Sequence, residues 1–220
     1  PCRPMRIATG GGEDATVFFH SGPPFQRVVG DVVVSEKCHD RGAIHCLRYN
    51  NDGSILASVG TDGNVCFYDG KSMGLITKVV AVHKSSIFSC EWNRSGSHLL
   101  TCGADGYVRL LDGKAGTVVH EWDVAAAQQQ QQQLSDVVPI GAMQLGCTFI
   151  KGDVPVSIGF NGQIAVLPVP ASLGLASNAN SIEKPCIITG HQAPISAMAF
   201  GKPGSNSVYT ADTDGVIVEW

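Results

Sequence analysis

The sequence predicts an all-β fold of short antiparallel strands, and three observations carry that prediction. Of 220 residues only 15% are charged and 44% are hydrophobic, while Gly fills 26 positions. Glycine supplies the positive φ that tight turns need, so this balance reads as many strands joined by short connections. The second observation is self-similarity. The segments ATGGGEDATVFFH (8–20), ASVGTDGNVCFYD (57–69), LTCGADGYVRLLD (100–112), SIGFNGQIAVLP (157–168) and YTADTDGVIVEW (209–220) each read as an apolar strand, a Gly or Asp turn, then an alternating strand. The third is an upstream histidine. His39, His83 and His191 precede Asp62, Asp105 and Asp214 by 23, 22 and 23 residues, and each is followed by an apolar strand, AIHCLRY, SIFSCEW or ISAMAF.

Taken in order, the first repeat opens on a strand at Met5 to Thr9 and turns at Asp14, with Thr9 five residues before the acid. In the second, third and last repeats Ser58, Thr101 and Thr210 stand four residues before Asp62, Asp105 and Asp214. The fourth repeat has neither the His nor the acid; it keeps strand alternation and an Asn161-Gly162 turn, itself a hairpin signal. Successive turns are 48, 43, 56 and 53 residues apart, and the two longer spacings hold AAAQQQQQQLSD and a stretch near 168–181 rich in Pro, Ala, Ser and Asn. The residue closing the alternating strand is His20, Tyr68, Leu111 and finally Trp220. With the Gly190-His191 pair, this is the WD-repeat signature of a β-propeller, four strands to a blade. At about 40 to 45 residues per blade, the chain holds four to five blades of four-stranded antiparallel sheet, part of a larger seven-bladed or double propeller.

The recurring side chains have a structural task. The turn Asp can accept hydrogen bonds from its own turn and from the His, whose other nitrogen reaches the Ser or Thr; a Trp N–H completes the set. Thr9, His39, Ser58, Asp62, His83, Thr101, Asp105, His191, Thr210, Asp214 and Trp220 form this expected network. A His, Asp and Ser together also suggest a hydrolase triad, but a nucleophile needs one exposed copy and this set recurs in blade after blade. They read as scaffold, and the protein as no enzyme.

Composition narrows the partners. Fifteen Lys and Arg against nineteen Asp and Glu give a net charge of −4, which argues against a nucleic-acid binder. The longest apolar stretch, 164–176, is broken by Pro168 and Pro170 and is shorter than the roughly 20 residues that span a bilayer. No signal peptide is read at the start. The eight cysteines show no CxxC pair and no clustering near histidines, and so read as reduced thiols with neither disulfide nor metal. No cofactor is implied: GGGED lacks the Lys and helix of a phosphate loop.

More particular motifs follow. The run PCRPMRIATG (1–10), the FFHSGPPF segment (18–25), YDGK (68–71), SIFSCEW (86–92), QLGC (144–147) and Gly190-His191 with Ile195 closely resemble the actin-interacting protein 1 family across essentially all 220 residues. The resemblance implies two joined seven-bladed propellers in the whole protein and a cytoplasmic partner set of actin filaments and cofilin, whose severing and disassembly the family promotes. It also implies domain limits: 1–167 as later blades of a first propeller, with a disordered Gln-rich loop near 125–136; 168–183 as linker; 184–220 as a further repeat opening a second propeller. The family's actin-facing surface, carried across, nominates Glu13 and Asp14 in the first turn and then Phe25, Gln26 and Arg27. The family often has Lys then Phe after GPPF and an aromatic after the next His; here stand Gln26-Arg27 and Asp40-Arg41-Gly42-Ala43, which shifts the expectation toward Arg27 and Arg41. Each has a plainer reading: Glu13 as a solvated turn acid, Phe25 as a packing residue, and the two arginines as charges guarding an outer edge. A general WD-repeat scaffold for protein interaction is the alternative function.

Overall fold

The computed structural model describes residues 5–23, 26–27, 38–129, 140–150, 153–170, 184–200 and 207–220. The chain divides into two compact units, Pro1–Thr101 with Arg109–His120, and Cys102–Val108 with Glu121–Trp220. The described residues form antiparallel sheets of three or four strands. The first is β1 (Met5–Gly10), β2 (Val17–Gly22) and β3 (Gln26–Arg27), in that order. The second runs β4 (Ile44–Tyr49), β5 (Ile55–Gly60), β6 (Val65–Asp69), β7 (Leu75–Val79), and the third β8 (Ile87–Trp92), β9 (His98–Gly103), β10 (Tyr107–Asp112), β11 (Val118–Asp123). The fourth holds β12 (Gln144–Ile150), β13 (Val154–Gly159), β14 (Gln163–Val166) and β15 (Cys186–Thr189). The last has β16 (Ile195–Phe200), β17 (Val208–Asp212) and β18 (Ile217–Glu219). Strand order follows chain order throughout, which is the meander of propeller blades.

The middle strands are apolar on both faces because sheets pack against them from both sides. All but the first residue of β5 are buried, as are the first four of β6. In the first unit, Val17 and Phe19 of the first sheet pack on Leu56, Cys66 and Tyr68 of the second. The opposite face of the second sheet sets Ala57, Val59 and Phe67 against Ile87, Trp92, Leu99 and Leu111 of the third. Phe19 meets Tyr68 edge-on at 5.8 Å between ring centres, and Phe67 meets Trp92 at 5.9 Å. Each such large apolar side chain contributes about 1.5–3 kcal/mol when fully buried. In the second unit Val156, Ile158 and Ile164 pack with Ile195, Met198 and Trp220.

Two expectations about connections need correction. Residues 125–129, expected inside a disordered loop, belong to the helix α1 (Val124–Gln129), whose Ala126 amide is capped by the Asp123 carboxylate at 2.8 Å. Asp is a strong N-cap, which explains why the Ala–Gln run starts as helix there. The rest of that expected loop, 130–136, lies outside the described residues. The boundary at 168–183 also falls within one sheet: β14 pairs with β15 from Gln163↔Thr189 to Val166↔Cys186. Residues 186–189 therefore close the fourth blade rather than begin a new domain.

Candidate functional site

The His, Asp and Ser sets are best seen in the second blade. His39 Nδ1 lies 2.9 Å from Asp62 Oδ1, and its Nε2 lies 2.7 Å from Ser58 Oγ, which in turn meets the Tyr68 hydroxyl at 3.2 Å. The Asp40 amide donates to Asp62 Oδ2 at 2.9 Å, tying the turn before β4 to the turn after β5. Burial pushes the Asp62 carboxyl up, but the hydrogen bonds from His39 and the Asp40 and Asn64 amides outweigh it and hold it below its usual value. Gly63 follows at φ +74°, and a Cβ there would run into the His83 carbonyl, so only Gly fits this turn. In the first blade, Thr9 Oγ1 meets His20 Nε2 at 3.2 Å.

The last blade repeats the set with one substitution. His191 Nδ1 pairs with Asp212 Oδ2 at 2.8 Å, not with Asp214, and Nε2 meets Thr210 Oγ1 at 2.6 Å, which accepts from Trp220 Nε1 at 2.7 Å. Asp214 is exposed, and its amide donates to Asp212 Oδ1 at 3.0 Å. Asp212 ends β17, two residues before the aligned acid, and takes its place. The ADTD run, with acids two apart, is the signal that the choice was open. In the third blade His83 Nε2 meets Thr101 Oγ1 at 3.0 Å, while the buried Arg109 places Nη1 2.8 Å from His83 Nδ1. Asp105 is buried and accepts the Tyr107 amide at 3.2 Å. Arg109 was missed by sequence reasoning, although a charge inside YVRLL was its visible mark. In the fourth blade the buried Gln144 stands in: Ser157 Oγ donates to its Oε1 at 2.7 Å, and its Nε2 donates to the Ala142 carbonyl at 2.8 Å. An amide offers both donor and acceptor, so it can replace the imidazole without a carboxylate.

The sets of the second, third, fourth and last blades lie inside them, whereas Thr9 of the first blade is exposed and departs from the expected buried network. His39 is 1% exposed and Ser58 0%, leaving no path for a substrate to the hydroxyl. Among the described residues no group of three or more His, Cys, Asp or Glu is arranged to hold a metal, and no helix is long and apolar enough to cross a membrane.

The exposed candidates gather elsewhere, where the turn between β1 and β2 meets the turn before β4. Gly11 accepts the Ile44 amide at 3.1 Å and donates to Thr16 O at 2.9 Å; Asp14 forms a parallel bridge with Gly42. Asp14 also accepts the Thr16 amide at 3.2 Å, and Ala15 between them is fully buried at φ 56°. This left-handed backbone is held by the hydrogen bonds on either side. The result sets Glu13, Asp14 and Arg41, all exposed, on one surface. Two further charges join them that the sequence did not single out. Asp40 pairs with Lys78 Nζ at 2.6 Å and accepts from Asn64 Nδ2 at 3.0 Å, and the Lys78 hydrogen bond draws the Asp40 carboxyl below its usual range. Gln26 and Arg27 form β3, paired with Ser21 and His20 of β2. Two residues of β2, Phe18 and Phe19, separate that pairing from Val17 beside the turn, about 10 Å along the strand. Phe25 lies outside the described residues.

The fold and the repeated buried sets define a WD-repeat protein of β-propeller type. The WD domain, G-beta repeat family matches residues 30–69 and 74–112. The second match begins at β7 and ends at β10, so the sequence repeat is offset by one strand from the blade. Over its whole length the chain is 36% identical to actin-interacting protein 1 of Caenorhabditis elegans, covering 32% of that protein. It is 34% identical to WD repeat-containing protein 1-B of Xenopus laevis over 99% of the chain and 32% of the relative, and 29% identical to actin-interacting protein 1 of Drosophila melanogaster over 100% and 31%. The chain is thus a WD-repeat protein of the actin-interacting protein 1 family, and spans about a third of the length of the curated relatives it matches.

Proposed function

We propose that the protein to which this chain belongs binds actin filaments and cooperates with a cofilin-family protein to sever and disassemble them in the cytoplasm. The observation that carries the reading is the whole-length similarity to relatives named actin-interacting protein 1. The mixed-charge surface of Glu13, Asp14, Asp40, Arg41 and Lys78, continued by Gln26 and Arg27 on the outer strand, supports it as a filament contact. Glu13, Asp14, Asp40 and Arg41 are exposed, so the packing of the blades does not dictate their identity. Alternating charge of this kind selects partners and orientation more than it adds raw affinity. In this reading the protein does no chemistry of its own and has no cofactor; it acts by recognising a filament surface, with neither nucleic acid nor membrane as partner.

Co-sedimentation of the full-length protein with actin filaments, with and without cofilin, tests the proposal. Binding that rises with cofilin, together with faster loss of pelletable filaments, is the expected result. Absence of filament binding under both conditions overturns it and favours a general protein-interaction scaffold.

A further inference from the structure

Two turns at the same end of neighbouring blades differ at the point where one carries an acid. The turn 50–54 joins β4 to β5, and the turn 93–97 joins β8 to β9. Both are opened by a buried asparagine. The amides of Asn50 and Asn93 donate to the Ile55 and His98 carbonyls at 2.9 and 3.0 Å, and the Ile55 and His98 amides donate back to the asparagine Oδ1 at 3.0 Å each. Gly53 and Gly96 both stand at φ 71° and both donate to the asparagine carbonyl at 2.9 Å. This pattern aligns Asn51 with Arg94, Asp52 with Ser95, Ser54 with Ser97 and Ile55 with His98.

The Asp52 carboxylate accepts the Ser54 amide at 2.8 Å. In the second turn Ser95 stands in its place, and the Ser97 amide goes instead to Asn93 Oδ1 at 2.9 Å. Ser95 and Arg94 are exposed. The half-buried His98 sets Nδ1 2.8 Å from Ser97 Oγ, which lies 2.7 Å from Ser95 Oγ. Where the acid is missing, an arginine and a histidine stand beside its position. The serine common to both turns, Ser54 and Ser97, belongs to the scaffold; Ser95 is the departure.

We propose that Ser95 is a phosphorylation site, its phosphate taking the place that Asp52 holds in the preceding blade. A protein kinase using ATP makes the change. Ser95 Oγ attacks the γ-phosphorus, the bond from that phosphorus to the bridging oxygen breaks, ADP leaves, and the hydroxyl proton passes to the base of the kinase. Phosphoserine brings about −1.5 to −2 charge at neutral pH and three acceptor oxygens. From position 95 these can accept the Ser97 amide as Asp52 accepts that of Ser54, with Arg94 and His98 flanking the charge. Asp112, the acid whose carboxyl feels His98, is already held by the Lys114 and Ala115 amides at 2.8 and 2.7 Å. The turn itself is gripped from both sides: Asn51 Nδ2 donates to the Asn93 and Arg94 carbonyls, and the Gly113 amide donates to the Ser97 carbonyl at 2.8 Å. Phosphate there adds a fixed anionic mark. The six residues of β4, about 20 Å of strand, separate this end of the blades from the turn that carries Arg41, so the site is independent of the filament contact proposed above.

The test isolates the full-length protein from cells treated with a serine/threonine phosphatase inhibitor and maps its phosphopeptides by mass. Phosphate on Ser95, and its loss in Ser95→Ala, is the expected result. A recovered peptide spanning Ser95 with no phosphate, or with phosphate on Ser97 instead, overturns the proposal. The placement is measured on full-length protein with phosphoserine encoded at position 95. Neighbouring cations favour the dianion, so its phosphorus resonance should titrate below the usual second ionisation of about 6 and return toward it when Arg94→Ala and His98→Ala are combined. Titration at the free-peptide value without those changes would break the match with Asp52. Ser95→Asp should melt no lower than the parent, because the corresponding turn already holds an acid; a lower melting temperature would mean that the turn 93–97 rejects an anion, and would also overturn the proposal.

Discussion

A buried imidazole has two nitrogens to satisfy, and its partners decide which one carries the proton. His39 and His191 face carboxylates through Nδ1, so that nitrogen donates and Nε2 accepts from Ser58 or Thr210. At His83 the Arg109 guanidinium can only donate to Nδ1, so Nε2 must carry the proton toward Thr101, whose hydroxyl donates on to the Arg109 carbonyl at 3.3 Å. Nitrogen-detected imidazole spectra should accordingly show the Nδ1–H form at His39 and His191 and the Nε2–H form at His83; one common tautomer at all three would contradict these networks. The acids make a second test. Asp212→Ala should lower the urea unfolding midpoint clearly while Asp214→Ala leaves it unchanged, since only Asp212 accepts from His191. Equal effects would return the role to Asp214. Asp62 adds a pH dependence. Its carboxyl is lowered in the fold, so its stabilisation is complete above the unfolded value of about 3.9 and fades as pH falls through the folded one. Asp62→Asn should therefore cost stability at pH 6 and progressively less toward about pH 2. A gap between parent and variant that stays constant with pH would refute this. The partner of His39 was legible in the sequence because its spacing recurs, whereas Asp212 and Arg109 were not: both are departures from the repeat, and a repeat predicts only what it repeats.

At the scale of strands and turns, steric fit explains residues that hydrogen bonding does not. Gly190 precedes His191, and a Cβ at that position would overlap the ring of Trp220, whose Nε1 holds Thr210. The Gly, His and Trp of the last repeat are thus one packing unit, although Trp220 stands 30 residues after Gly190 in the chain. Gly190→Ala must push the indole aside, and overpacking of this kind costs about 1–3 kcal/mol. The measurement is a denaturant series; an unchanged midpoint would mean that the indole has room to move. The fourth blade was legible as strands and turn but not in its interior, because Gln144 shares no letter with the histidine it replaces. What it shares is one donor and one acceptor at a buried position. Gln144→Leu keeps the volume and strands the Ser157 hydroxyl, at about 1–3 kcal/mol, while Gln144→His should recover part of that loss. The blade boundary was misplaced for a related reason. The sequence repeat begins with the outer strand of the preceding blade, so a long insertion before β15 reads as a linker between domains when β14 and β15 still pair across it.

For the whole molecule, the charged surface gives the proposed filament contact its sharpest consequence. A chain with net charge −4 that docks on an acidic filament needs its cations placed where the surfaces meet, because like charges opposed across an interface cost affinity and slow encounter. Arg41 is exposed on the turn that bridges to Asp14, and Arg27 lies on the adjoining outer strand. Neither position is fixed by the buried networks, so reversing the charge should leave the fold intact; surface changes of this kind usually shift stability within about 0.5 kcal/mol. Arg27→Glu combined with Arg41→Glu in the full-length protein should reduce disassembly of cofilin-bound filaments, with the effect growing as salt is lowered. Lys71→Glu combined with Lys114→Glu is the matched comparison, two exposed lysines in the turns after β6 and β10. It carries the same change in net charge, so a loss seen equally in both would reflect overall charge rather than this surface. The decisive pattern is a loss of disassembly in the arginine double variant alone, with an unchanged melting temperature. Full activity in that variant would remove this edge as the filament contact while leaving the propeller and its buried sets as described.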